Sequence, residues 1–334
     1  MKIAVVTQPL LNNYGGLLQN FSLQKTIEKL GGKAVTIDFL RIVNSPVYIY
    51  IASWIKSFIL LLLGKKRKFA RYSNKGKRCE WSNEFVRQHI IVTQSCFKYT
   101  LNLLTDFDAV IVGSDQVWRP SFVANIKDMY LHFAQNYHIK RIAYAASFGV
   151  DNWEYSSKQT QVCSELANKF DAISVREESA IKLCREHLGV DATWVLDPTL
   201  LLTKEDYLPI CKEVPVCSEK YLAVYVLDEN DVVTATYEKE AMDRGLIVKK
   251  FYAASKSTLT VPEWLAMFRD ASYVVTDSFH GTVFSIIFGK EFKCIYNKNR
   301  GAARFESLMN LYNSGKLEEL RIFSLNWLKN ALEK

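Results

Sequence analysis

The chain contains no C-x-x-C pair, no G-x-G-x-x-G and no apolar stretch long enough to cross a bilayer, and each absence narrows what its 334 residues can do. Its seven cysteines, Cys79, Cys96, Cys163, Cys184, Cys211, Cys217 and Cys294, are odd in number and scattered. Such spacing argues against a zinc site and fits a reducing compartment. No metal is expected. The missing glycine fingerprint removes the usual seat of a nicotinamide or flavin, so no cofactor is expected either. From Met1 to Thr7 the apolar run is too short for a secretory leader and offers no small-residue cleavage site, which points to the cytoplasm. Internal repeats and low-complexity tracts are absent as well.

Acidic residues are missing from one long interval. None lies between Asp38 and Glu80, where ten of the 43 basic residues fall, so the other 33 face 35 acidic ones. The formal charge of +8 therefore belongs to one segment. Ahead of its Lys65-Lys66-Arg67-Lys68 cluster runs Val47 to Leu63, which carries Tyr48, Tyr50, Trp54 and Phe58. A membrane span takes about 20 apolar residues, and this run is shorter and contains Lys56. Two readings stand: residues 47–78 lie in the headgroup layer of an anionic membrane, or the run is a core or oligomer-interface helix followed by a solvated basic loop. No nucleic-acid partner is expected.

What is present is an α/β rhythm. Short β-branched runs at Lys2 to Thr7, Ala34 to Phe39, Ala109 to Val112, Arg141 to Ala145, Ala172 to Val175 and Trp194 to Leu196 read as strands, with helical periodicity between them. Asn12 to Gly16 reads as a loop feeding a helix from about Leu17 to Leu30. Weak periodicity and two prolines between Thr203 and Ser218 mark a boundary, giving an amino-terminal domain 1–210 with an insertion at about 47–80, and a second α/β domain 211–334. Two doubly wound, Rossmann-like domains facing a cleft are expected, the GT-B-like layout.

Polar residues at strand ends are the candidates for chemistry, since open parallel sheets place ligands there. Asp115 follows one strand and is either a ligand or a helix cap; Trp118 is either a platform for a sugar or a core aromatic. Arg176 follows another and either grips a carboxylate or phosphate with its planar fork or pairs with Glu177 or Asp197. The run from Tyr273 to Gly289 reads as a buried strand, a turn at Asp277 to Gly281 and an apolar helix capped by Ser278. His280 then sits beside free backbone N–H groups, which suit an anion, and Gly281 allows a ligand to approach the backbone.

The stretch Val274 to Ser285, Val-Val-Thr-Asp-Ser-Phe-His-Gly-Thr-Val-Phe-Ser, resembles the signature of the polysaccharide pyruvyl transferase family. Asn13-Tyr14-Gly15-Gly16, Gly113-Ser114-Asp115-Gln116-Val117-Trp118, Ser174-Val175-Arg176-Glu177 and Asn299-Arg300-Gly301 leading to Arg304-Phe305 agree with it in order. The resemblance implies transfer of a three-carbon unit from phosphoenolpyruvate to two hydroxyls of one sugar, with a cyclic pyruvate ketal formed and phosphate released. It implies as acceptor a lipid-linked oligosaccharide of a bacterial surface polysaccharide. Under it His280 is the acid and phosphate partner and Asp115 the base. Arg176, His280, Gly281, Arg300 and Arg304 hold the donor, and Asn13, Tyr14, Gly15 and Trp118 meet the acceptor. Some members carry Arg-Leu-His where this chain has Ser278-Phe279-His280, so a cation is missing two positions before the His. A GT-B glycosyltransferase using a nucleotide sugar and a non-catalytic glycan-binding protein are the alternatives.

Overall fold

Four of the strand runs, Ile-Ala-Val-Val, Ala-Val-Ile-Val-Gly, Ile-Ala-Tyr-Ala-Ala and Tyr-Leu-Ala-Val-Tyr, are apolar without alternation, the pattern of strands covered on both faces. The computed structural model describes residues 1–40, 54, 55, 58, 78–253, 257, 259–295 and 302–333, and there these runs are buried throughout. Most of the basic segment 47–78, and Arg300, lie outside the described residues.

The first half of the chain runs β1 (Lys2–Val6), α1 (Tyr14–Lys29), β2 (Lys33–Thr36), α2 (Glu80–His89), β3 (Ala109–Gly113), β4 (Lys140–Ala146), α3 (Ser157–Ala167), β5 (Ala172–Val175), α4 (Ser179–Leu183) and β6 (Thr193–Trp194). These strands form a six-stranded parallel sheet in the order β2-β1-β3-β4-β5-β6. The second half runs β7 (Tyr221–Tyr225), α5 (Asp231–Arg244), β8 (Ile247–Phe251), α6 (Val261–Asp270), β9 (Tyr273–Thr276), α7 (Phe279–Ile287), β10 (Glu291–Cys294), α8 (Ala302–Asn313) and α9 (Leu317–Glu333). Its four-stranded parallel sheet is ordered β10-β9-β7-β8.

Each order reverses once, between β1 and β3 in the first sheet and between β7 and β9 in the second. A crevice opens outside the carboxyl ends of the strands at such a reversal. The loops after β1, β3, β7 and β9 all line one cavity of about 730 Å³, so the two crevices face each other.

Two boundaries differ from those the sequence suggests. Helix α1 begins at Tyr14, with Asn13 as N-cap, so Gly15 and Gly16 occupy its first turn and not a loop. The glycines mask that turn because they contribute no apolar periodicity. The last two helices, placed with residues 211–334 by sequence, return to the first sheet. Phe305, Leu308, Leu311, Leu328, Ala331 and Leu332 share a core with Ile3, Val5, Ile111 and Ile142, and the Leu196 N–H donates to Ser324 Oγ at 3.0 Å.

Candidate active site

The cavity is charged at its centre. Asp115, two residues after β3, adopts φ 67°, a left-handed conformation that turns the chain sharply at the strand end. Arg176, directly after β5, reaches between two carboxylates. Its Nη1 donates to Asp197 Oδ2 at 2.8 Å and its Nη2 to Asp115 Oδ1 at 3.3 Å. Burial opposes the Arg176 charge, yet Asp197, Asp115 and Glu177 raise its pKa above the ordinary value. Burial would lift Asp115 too, but Arg176, His280 and Arg304 outweigh it and hold this carboxyl below its usual range. Asp197 behaves likewise, depressed by Arg176 and His280 against burial. All three groups are therefore charged at neutral pH.

The second domain delivers His280 to this cluster. Thr276 ends β9, and its Oγ1 donates to the Tyr225 carbonyl at 2.6 Å while accepting from the Ser278 N–H at 3.1 Å, which fixes the turn. Asp277 accepts from the N–H groups of Leu227 at 2.6 Å and Asp228 at 2.9 Å, tying the turn to the loop after β7. Ser278 caps α7 as the sequence suggests, its Oγ accepting from the Gly281 N–H at 3.3 Å. His280 then projects toward the first domain, with Nε2 3.9 Å from Asp197 Oδ2 and without a hydrogen-bond partner among the described residues. Burial lowers the imidazole pKa against the pull of Asp197 and Asp115, and Arg176 and Arg304 lower it further. The resting ring is neutral at pH 7. Arg304, from α8, also lines the cavity, and burial brings its pKa down to about 10, still cationic at neutral pH.

The N-terminus of α1 closes on the same ring. A Cβ on Gly15 would stand 2.1 Å from His280 Nδ1, so only glycine fits between the helix and the imidazole. Asn13 caps this helix without a side-chain hydrogen bond to it, which leaves first-turn amides for water or a ligand.

Of the residues expected from sequence, Asp115, His280, Arg304, Asn13, Tyr14 and Gly15 line the cavity. Trp118, Arg176 and Gly281 do not line it, and Tyr14 does so only at its edge. Trp118 has no exposed surface, stacks on Tyr130 at 4.8 Å and donates its indole N–H to the Met129 carbonyl, so it is a core aromatic and offers no face to a sugar. Arg176 spends two donors on protein carboxylates and has 1% of its side chain exposed, the pairing alternative that the sequence offered, so it supports Asp115 and Asp197. Gly281 serves packing: a Cβ there would lie 2.3 Å from Thr276 Oγ1. Tyr14 reaches the cavity wall with 1% of its surface exposed, stacked with Trp81 and Trp264. Asp197, read from sequence as a turn or a partner of Arg176, proves to stand between Arg176 and His280; its Asp-Pro context hid this role.

A family model described as polysaccharide pyruvyl transferase matches residues 13–299 of the chain. No curated protein matches it. Among solved structures it is similar to the UDP-GlcNAc 2-epimerase of Neisseria meningitidis, with a TM-score of 0.51 and 10% identity over 99% of both chains. A putative UDP-N-acetylglucosamine 2-epimerase of Listeria monocytogenes gives a TM-score of 0.49 and 12% identity, covering 99% of this chain and 95% of that one. The first of these likenesses concerns the fold alone, the two-domain GT-B arrangement.

The contact between Gly15 and His280 can be tested in isolation. Gly15→Ala should displace the imidazole and lower turnover by about 10²-fold, the scale of a misplaced reacting group. Ala is otherwise favoured in a helix, so thermal stability should not fall through the backbone. Gly16→Ala is the control, because its Cβ would meet Asn13 at an ordinary 3.4 Å. Equal activity of the two variants would show that the close approach has no catalytic consequence.

Proposed function

The chain belongs to the polysaccharide pyruvyl transferase family, and from that premise we propose that its cleft takes phosphoenolpyruvate as donor and places its three-carbon unit on two hydroxyls of one sugar. The observation that carries this reading is His280, a buried imidazole with Asp197 3.9 Å from its Nε2, Gly15 of α1 against its Nδ1 and the Asp115 charge acting on it. Phosphoenolpyruvate brings a carboxylate and a phosphate on a small frame. Arg304 and the open first turn of α1 supply positive charge and donors to hold it. A bound dianion raises the imidazole pKa, so the ring takes up a proton as the donor enters.

The chemistry follows from these states. His280 delivers its proton to C3 of the donor as a sugar hydroxyl attacks C2, and Asp115, held ionised, accepts the hydroxyl proton. The C2 centre now carries a methyl group, the carboxylate, the new ether oxygen and phosphate. The oxygen of a second hydroxyl then bonds to C2 as the bond from C2 to the phosphate oxygen breaks, the departing phosphate takes up that hydroxyl's proton, and the cyclic ketal closes. Arg176 holds Asp115 and Asp197 in place, and keeps Asp115 ionised until it accepts the first hydroxyl's proton. Arg176 therefore acts through its neighbours.

We place the acceptor on a lipid carrier. Trp54, Ile55 and Phe58, the described residues of the aromatic run, are each more than half exposed, as an interfacial segment requires. Among the described residues no helix is long and apolar enough to cross a membrane. Replacing Lys65, Lys66, Arg67 and Lys68 by Gln should release the protein from anionic vesicles in a sedimentation assay, each charge contributing about 1 kcal/mol. Unchanged sedimentation would remove the membrane from the account.

The reaction itself is read by phosphate released from phosphoenolpyruvate in the presence of a glycan acceptor. His280→Ala should lower the rate by about 10²-fold or more. His280→Gln can donate a hydrogen bond but delivers no proton, so it should recover donor binding without recovering rate. A wild type that releases no phosphate with any glycan, yet transfers sugar from a nucleotide donor, would overturn the reading.

A further inference from the structure

The cavity is larger than a three-carbon donor fills, and its wall holds one feature the proposed chemistry does not use. Four aromatic residues besides Phe122 line it: Tyr14, Tyr225, Phe279 and Phe305. Each of those is at most 5% exposed, whereas Phe122 is 49% exposed. Among the described residues, Phe122 is thus the aromatic with a ring face to offer. Its exposure also sets it toward the mouth, while His280, with 12% of its side chain exposed, lies deeper.

One face of the ring is held. The Arg119 guanidinium lies over it at 4.8 Å from the centroid. Arg119 is itself fixed at three points: Nε to Glu154 Oε2 at 3.1 Å, Nη2 to Glu154 Oε1 at 3.0 Å and Nη1 to Gln116 Oε1 at 3.0 Å. Gln116 in turn fits because Gly149 has no side chain; a Cβ there would stand 2.1 Å from Gln116 Oε1, and φ at Gly149 is +74°. An isolated surface Phe would have no such scaffold. A half-exposed ring fixed on one face by a braced cation, in a wall otherwise carrying Asn13, Gln116 and Arg119, combines an apolar plane with hydrogen-bonding groups around it. That combination suits a pyranose, whose C–H face is apolar and whose rim is hydroxylated.

We propose that Phe122 is the platform for one sugar ring of the acceptor, at the cavity mouth, and that it sets acceptor affinity without contacting the donor. This deepens the acceptor side of the function proposed above and rests on that reading. It assigns to Phe122 the role the sequence suggested for Trp118, four residues earlier.

The test uses the full chain and an array of hexose- and N-acetylhexosamine-terminated oligosaccharides, with the best-bound probe carried into calorimetry beside phosphoenolpyruvate and UDP. Phe122→Ala should weaken the oligosaccharide by about tenfold, Phe122→Trp should keep it close to wild type, and phosphoenolpyruvate affinity should be the same in all three proteins. Oligosaccharide binding that survives Phe122→Ala overturns the proposal and leaves the ring as a cover for Arg119. So does a wild type that binds no oligosaccharide, a loss of phosphoenolpyruvate affinity equal to that for the glycan, or a loss for UDP alone, which would make Phe122 a seat for a base. If the platform behaves as proposed while wild type never releases phosphate from phosphoenolpyruvate, the pyruvyl reading fails and the sugar subsite stands.

Discussion

One guanidinium closed between two carboxylates organises this molecule. Arg176 comes from the end of β5, Asp197 from just beyond β6 and Asp115 from just beyond β3, so their contacts fix three strand ends relative to one another. Taking such charges out of water costs several kcal/mol per ion unless each is paired. The pairing is complete enough here to keep Asp115 and Asp197 ionised and Arg176 cationic despite their burial. His280 and Arg304, from the other half of the sequence, are then set against a fixed field.

That field explains why the histidine is suited to work on an anion. In the resting site, burial keeps the imidazole neutral, although two carboxylates favour its protonation. Any anion bound beside the ring adds to the pull of Asp197, which already stands 3.9 Å away. In the proposed reaction, proton uptake is thereby coupled to donor entry. The close approach of Gly15 prevents the ring from swinging toward α1, so the proton is carried at a defined place. The cavity mouth obeys a different logic, with Phe122 braced by Arg119 and Glu154 and no buried charge cluster of its own.

Much of the fold was legible because parallel strands covered on both faces leave continuous apolar runs, and the runs from Lys2, Ala109, Arg141, Ala172 and Tyr273 all became strands. The turn at His280 was legible for a local reason: strand, Ser cap and apolar helix are consecutive in sequence. What failed depended on contacts between distant segments. Trp118 and Phe122 are both aromatic residues after β3, and nothing local says that Trp118 packs on Tyr130 while Phe122 meets the cavity. Gly281 and Gly15 both sit near His280, yet their roles are set by Thr276 in one case and by the imidazole itself in the other. The return of α9 to the first sheet has no local signature either, since an amphipathic helix does not state which sheet it covers.

The central claim is that His280 is neutral in the empty cleft and becomes protonated when the donor binds. Nitrogen-15 chemical shifts of the five histidines, with His280 assigned through His280→Gln, measure this directly when titrated against pH with and without phosphoenolpyruvate. In the free protein the His280 titration should fall below the ordinary histidine value of about 6.5, and saturating phosphoenolpyruvate should move it upward, so that the ring carries its proton near neutral pH. A titration that phosphoenolpyruvate leaves unmoved, or a ring already protonated at pH 7 in the free protein, would contradict the account.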